Sequence, residues 1–420
     1  LQMRNNTQNG PRDDGHQSQQ PILGRTERQK VRIVRSQMLE SAIKIFDLFG
    51  SSPGVLEIEY VGEEGTGLGP TLEFYASTSK EFSKHSINMW RGSEKQKTGH
   101  VDTPNGLFPK ALARSNSKSV KKIIQLFRTL GQFVAKAMLD FRIIDIGFNP
   151  AFFKITLEES KPSSELLFEI DPVLAKSLNL LQAFIKQKNV LYSDKTKSKT
   201  EKMKELDDLQ VDGVKIDDLC LDFTLPGDPT YELKPDGADI PVTIKNVESY
   251  VESVIDAVAG SGVSQQIEAF KEGFNGLFAI KDLKLLTYSE LVSLFGTSDE
   301  DWSLSTLSDT IKADHGFTME SKSVQNLLEI LSEMDSTQKR EFLQFTTGSP
   351  RLPIGGWKAL RPVFTVVRKI PESTMSPDDY LPSVMTCANY LKMPEYSSKE
   401  IMEKKLDTSM KEGQNSFLLS

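Results

Sequence analysis

The chain has 420 residues, 38% hydrophobic and 26% charged, a balance typical of globular sequences and long enough for two or three domains. Its 51 basic and 58 acidic side chains leave a formal charge of −7, and no basic stripe interleaved with aromatics argues for nucleic acid as the main partner. No apolar run reaches the roughly 18 residues of a membrane span, and no basic start leads into an apolar secretory core, so no membrane attachment is indicated.

In chain order, residues 1–27 are rich in Gln, Asn, Gly and Arg and nearly free of apolar side chains, which predicts a disordered linker. A start at Leu1 instead of Met suggests a piece of a longer protein. From Arg28 the spacing of Val31, Val34, Met38, Ala42, Ile45 and Phe49, closed by Gly50, predicts an amphipathic helix. VLEIEYV alternates Leu56, Ile58 and Tyr60 with glutamates and reads as a strand. It leads through a glycine-rich turn into a helix with Pro70 in its first turn. Glu63 and Glu64 would repel a phosphate and no phosphate-loop lysine follows, so the turn is read as structural.

Val120, Ile123, Ile124, Phe127, Leu130, Val134 and Met138 form the apolar face of a helix over about 118–140. Composition shifts across 158–243, where DPVLAKSLNLLQAFI predicts a helix, Lys195–Lys204 a solvated loop, and VKIDDLCLDFTL with YELKPDG a hairpin. This reads as an inserted small subdomain at about 165–242. Helical patterns return over Val247–Phe295. SDEDWSLSTLSD then lacks sustained periodicity, which places a hinge near Asp299 to Ser308, centred on 301–308. The remainder, 309–420, reads as a compact mixed segment. It has helices near 322–334 and 337–345, a turn at GSPRLPIGG, a strand at Val363–Arg368, and a final helix started by a Ser397–Glu400 capping box.

The chain has two cysteines, too few for a disulfide framework and without a CxxC pattern or histidine cluster. A reducing compartment follows, cytoplasmic or nuclear, and no metal or cofactor is indicated. Cys220, in DLCLDF, alternates with Leu219, Leu221 and Phe223 as in a half-buried strand and is read as structural. Cys387, in LPSVMTCANYLKMPEY, lies between Pro382 and Pro394 with Ser383, Thr386 and Asn389 nearby, a setting that predicts a rigid loop presenting an exposed nucleophile. Phe417, Leu418 and Leu419 are apolar at a chain end, consistent with a packed tail or with a docking contact.

LPSVMTCANYLKMPEYSSKEIMEKKL resembles the catalytic signature of HECT-type ubiquitin ligases, and LQFTTGSPRLPIGGWKAL resembles the segment preceding it. The likeness continues through DIPVTIKNVESYV, GVSQQIEAFKEGFN and RTLGQFVAKAMLDFRIIDI, covering about residue 30 to the end. VMTCANYLKMPEYSS and GTGLGPTLEFYA look most like the subgroup of the ubiquitin-fusion-degradation and thyroid-receptor-interacting ligases.

The resemblance implies an α+β, bilobal domain. A mostly helical large N-lobe over 28–300 would hold a ubiquitin-conjugating enzyme through its subdomain, and a small C-lobe over 309–420 would carry Cys387. It implies that Cys387 accepts ubiquitin as a thioester and passes it to lysines of substrates or of ubiquitin. Thr386 would orient the thiol or carbonyl, and Phe417 would be the docking aromatic of the tail. Leu174, Leu178, Leu181, Leu219, Leu221, Tyr250 and Val254 fall where related domains present an apolar groove to the conjugating enzyme, a pattern that a core helix and hairpin would also show. Met385 stands where many relatives have His, and the last four residues carry no acid.

Two other classes compete with this reading. A cysteine hydrolase needs a base near Cys387, and His16, His85, His100 and His315 sit in no recognisable base motif. A ubiquitin-binding scaffold would need neither Cys387 nor the tail.

Overall fold

The computed structural model describes residues 27–63, 67–95, 99–113, 115, 117–158, 160–296, 300–370 and 376–413. The architecture is α+β, with many helices and several small sheets. The chain packs as two compact units.

One unit comprises residues up to Phe82, Gln132–Ile146 and Ser293 onward. It opens with strand Arg28–Ile33, helix Met38–Phe49 and strand Val55–Tyr60, the two strands pairing in parallel with Val31 opposite Ile58. The helix expected from Arg28 therefore starts ten residues later. Val31 and Val34 match a helical spacing, but pairing along Val55–Tyr60 satisfies the backbone of Arg28–Ile33 and buries Val31 and Ile33. Gly50 closes the helix as expected, its N–H reaching the Phe46 carbonyl at 2.8 Å.

Helix Leu68–Phe82 packs on the second strand. Beneath it, Asp140 accepts from Leu56 N at 3.2 Å and Tyr75 Oη at 3.0 Å, and it pairs at 3.4 Å with Lys136. Both side chains are fully buried; Lys136 also donates to the backbone carbonyls of Ser52 and Gly54, while Asp140 Oδ1 has the ion pair to Lys136 and no hydrogen bond.

The C-terminal part of this unit is built on a four-stranded sheet. In spatial order the strands are Ser383–Met385, Tyr390–Met393, Thr365–Arg368 and Lys312–Asp314; the first pair is antiparallel and the others parallel. Val366, Leu391 and Met393 enter a core with Leu327, Phe342 and Trp357. Helices Lys322–Glu333, Ser336–Thr347 and Lys399–Gly413 accompany the sheet, close to their expected spans.

Within the stretch expected to hinge, helix Leu304–Thr310 is capped by Ser303 Oγ, which accepts from Thr306 N at 3.3 Å, and Trp302 and Leu307 are buried. The final helix is capped by Ser398, whose Oγ accepts from Ile401 N at 3.3 Å. The expected Ser397–Glu400 box does not form, because Ser397 N and Oγ both donate to Asp378, at 2.9 and 2.6 Å.

The other unit comprises Ser83–Gly131 and Gly147–Val292. Helix Lys118–Leu139, as expected, runs its first part here. Its aromatic core includes stacked Phe148 and Phe152, 4.9 Å apart, with Phe270 5.0 Å from Phe152. Asp171 caps helix Pro172–Ser193 through Leu174 N at 2.9 Å. The Lys-rich segment expected as a loop contains helix Lys199–Asp207, begun by a Ser198–Glu201 capping box. Its net polarity hid a helix held by its start signal and by packing on the preceding helix. The expected hairpin is the pair Thr224–Leu225 and Asp228–Glu232.

Cys220 does not lie in a strand. It is exposed and in the left-handed region (φ 48°), ending a 3-10 turn at Ile216–Leu219. The alternation read there ended where the backbone turned, because the Cys220 N–H closes on the Asp217 carbonyl at 3.2 Å.

Candidate active site

Cys387 lies in the 3-10 turn Thr386–Ala388, which joins two antiparallel strands at the edge of the sheet. The expected loop is thus a strand–turn–strand with its tip held tightly. Asn389 closes it in the left-handed conformation (φ 53°), which an asparagine tolerates better than most residues. Its N–H donates to the Thr386 carbonyl at 3.3 Å, its carbonyl accepts from Thr365 N at 3.0 Å, and its Nδ2 donates to the Pro362 carbonyl at 2.7 Å.

Before the turn, Lys369 Nζ donates to the Leu381 carbonyl at 3.2 Å, and Tyr396 Oη to the Tyr380 carbonyl at 3.0 Å. The turn also approaches helices Leu68–Phe82 and Ser336–Thr347. The backbone around the cysteine is therefore fixed from several sides, while the Cys387 side chain itself is exposed. Thr386 is half-buried and Met385 is 42% exposed.

Among the described histidines, His315 follows strand Lys312–Asp314 and lies at the opposite end of the sheet, where its carbonyl accepts from Arg368 N at 3.3 Å. His85 and His100 belong to the other unit. A rigid, exposed thiol, with no histidine beside it among the described residues of its own unit, suits attack on an activated acyl group such as a thioester, which needs far less base assistance than an amide. No cluster of His, Cys, Asp and Glu suited to a metal occurs among the described residues.

The seven residues expected to face a conjugating enzyme divide by burial. Leu174, Leu178 and Leu181 on helix Pro172–Ser193, and Tyr250 and Val254 on helix Val247–Ala259, are buried, with Tyr250 5.4 Å edge-on from Phe223. Burial pushes the Tyr250 hydroxyl up to about 12. Leu219 and Leu221, flanking Cys220, keep partial exposure. Phe417 lies outside the described residues.

The sequence marks Asn389 as polar company for the thiol and as part of the signature that carries the family resemblance, without its structural role. Its position, directly after a short turn and before a strand, is where a left-handed residue is needed, and that signal was available. Its partner Pro362 was not, being 27 residues away.

The fold is α+β, and the site holds an exposed cysteine at the tip of a strand–turn–strand. The HECT-domain (ubiquitin-transferase) family profile matches residues 76–420, and the chain belongs to that family. A Schizosaccharomyces pombe protein named "Probable ubiquitin fusion degradation protein" is 47% identical over 94% of this chain and 23% of its own length. The zebrafish (Danio rerio) E3 ubiquitin-protein ligase TRIP12 is 44% identical over 95% of this chain and 20% of its own. Ubiquitin fusion degradation protein 4 of Saccharomyces cerevisiae is 40% identical over 100% of this chain and 28% of its own. The chain thus spans between a fifth and somewhat more than a quarter of these relatives. No described helix is long and apolar enough to cross a membrane.

Proposed function

We propose that this chain is the catalytic part of a ubiquitin-protein ligase that works through a thioester on Cys387. The observation that carries the reading is the exposed Cys387 thiol on a turn whose backbone is held by Asn389 and Thr365. The Cys387 thiolate attacks the carbonyl carbon of ubiquitin's C-terminal thioester on a conjugating enzyme. The new C–S bond forms as the old one breaks, and the conjugating enzyme's thiolate leaves. A lysine amine then attacks the Cys387 thioester, the C–N bond forms, the Cys387 thiolate leaves, and the amine loses a proton.

Thr386 orients the thiol or the carbonyl, and Phe417 docks the tail during transfer to the lysine. The conjugating enzyme binds on the inserted subdomain, about 165–242. There the half-exposed Leu219 and Leu221 supply contact, and the buried Leu174, Leu178, Leu181, Tyr250 and Val254 hold the surface in shape. The N-lobe, hinge and C-lobe divide at 28–300, 301–308 and 309–420. Acceptors are lysines of protein substrates and of ubiquitin itself, which builds chains. The relatives' names support a role in degradation of ubiquitin fusions. Two exposed free thiols support a reducing location, cytoplasm or nucleus.

The test is a single-turnover reaction with labelled ubiquitin preloaded on a conjugating enzyme, followed with and without reductant. A reductant-sensitive adduct is expected, becoming reductant-resistant in Cys387→Ser and absent in Cys387→Ala. Lysine modification by Cys387→Ala without any adduct would overturn the covalent relay in favour of a scaffold.

A further inference from the structure

We infer that Asn389 is a positioning residue for transfer onto Cys387, acting through its side-chain bond to the Pro362 carbonyl; the inference rests on Cys387 being the acceptor. Asn389 stands two residues after the cysteine and is 5% exposed. Its backbone closes the turn on Thr386 and starts the pairing with Thr365. Its amide crosses to Pro362 at 2.7 Å, tying the turn to the loop that precedes the neighbouring strand. Among the described residues the cysteine side chain has no such tie, so the location of its sulfur is set by the turn, and the turn by Asn389.

Reaction between two proteins requires the attacking atom at about 3–3.5 Å from the carbonyl carbon, and displacement by about 1 Å can lower the rate on the order of 100-fold. A small alkylating reagent approaches the same thiol from any open side and imposes no such demand. The side-chain anchor therefore matters to thioester transfer and not to thiol reactivity as such. An asparagine serving only as a left-handed residue would be replaced by glycine without loss.

The experiment uses the full chain in a Cys220→Ser background, so that alkylation reports Cys387 alone. Asn389→Gly keeps the backbone conformation and removes the amide. Its single-turnover loading from charged conjugating enzyme is expected to fall about 10- to 100-fold at saturation, at an unchanged half-saturating concentration and an unchanged rate of iodoacetamide alkylation. Asn389→Asp supplies a second readout that does not depend on how well the glycine variant folds. Its carboxylate would face the Pro362 carbonyl, and only the protonated acid can donate to it. The ratio of its loading rate to that of the parent is expected to rise as pH falls from 8 to 5.5.

Parental loading by Asn389→Gly, a fall in alkylation matching the fall in loading, or a flat ratio for Asn389→Asp would each overturn the positioning role. Failure of the parent to load at all would instead sink the thioester reading on which it rests.

Discussion

Gly131→Ala tests how closely two helices of the Ser83–Gly131 and Gly147–Val292 unit must approach. A Cβ at Gly131 would collide with the Phe270 carbonyl oxygen and sit 2.9 Å from Phe274 N and 3.0 Å from Phe270 C. All three atoms belong to the backbone of helix Ser264–Phe274, so no side-chain rotation relieves the contact. The helices must part by on the order of 1 Å to reach normal carbon contact distances.

Phe270 and Phe274 are fully buried, and Phe270 meets Phe148 and Phe152. A buried side chain of this size makes roughly 50 atom contacts of about 0.15 kcal/mol each, and a gap of 0.5–1 Å forfeits about a quarter to a half of that. The loss is about 2–4 kcal/mol, against roughly 1 kcal/mol gained from the better helix propensity of alanine. A net destabilisation of about 1–3 kcal/mol is expected, in line with other overpacked cores.

Urea unfolding measures it. Trp90 belongs to the same unit and packs 5.2 Å from Phe127, so its fluorescence in a Trp302→Phe, Trp357→Phe background reports this unit alone. Gly147→Ala is the control, since nothing lies within 4 Å of its Cβ position, and it should stay within about 0.5 kcal/mol of the parent. A Gly131→Ala protein as stable as the parent would refute the close-approach argument.

Three other outcomes are expected. Arg351 is buried and donates to the Ile144 carbonyl at 2.7 Å and the Ser293 carbonyl at 2.6 Å, so Arg351→Met should cost about 2–4 kcal/mol in unfolding followed by Trp302 and Trp357, with Arg351→Lys recovering only part. The Asp378 carboxylate is held below its ordinary value of 3.8 by the Ser397 hydroxyl and then the Ser397 N–H, so its contribution is present above pH 3.8 and lost as pH falls through the lower folded value. The Tm gap between parent and Asp378→Asn should accordingly be constant from pH 7 to about 5 and close below about 3.8. Ser198→Ala removes the cap of helix Lys199–Asp207 and should weaken that helix by about 1 kcal/mol, read as faster hydrogen exchange confined to it.

Much of this protein was legible because its helices carry strong periodicity and clear ends. The span of Lys118–Leu139 follows from apolar spacing and the start of Pro172–Ser193 from an Asp–Pro signal, although the second helix runs eight residues past Ile185, where its expected pattern ended. Capping was less legible at Ser397, where the choice between two adjacent serines was made by Asp378, 19 residues earlier. Of the candidate site, the exposure of Cys387 was readable. Two prolines and a polar neighbourhood mark Cys387 as a residue outside any core, and it is exposed.

Local sequence thus determined most helices, the strands Val55–Tyr60 and Thr365–Arg368, and the exposure of Cys387, since those depend on the spacing of a few neighbouring side chains. Tertiary structure alone decided that Arg28–Ile33 is a strand, because its partner is Val55–Tyr60. It alone turned the backbone at Cys220, and it buried five of the seven leucine, tyrosine and valine candidates for a docking surface. It also tied Asn389 to Pro362. Burial, strand pairing and cross-chain hydrogen bonds are set by residues far apart in sequence, and no local pattern encodes which distant partner will be there.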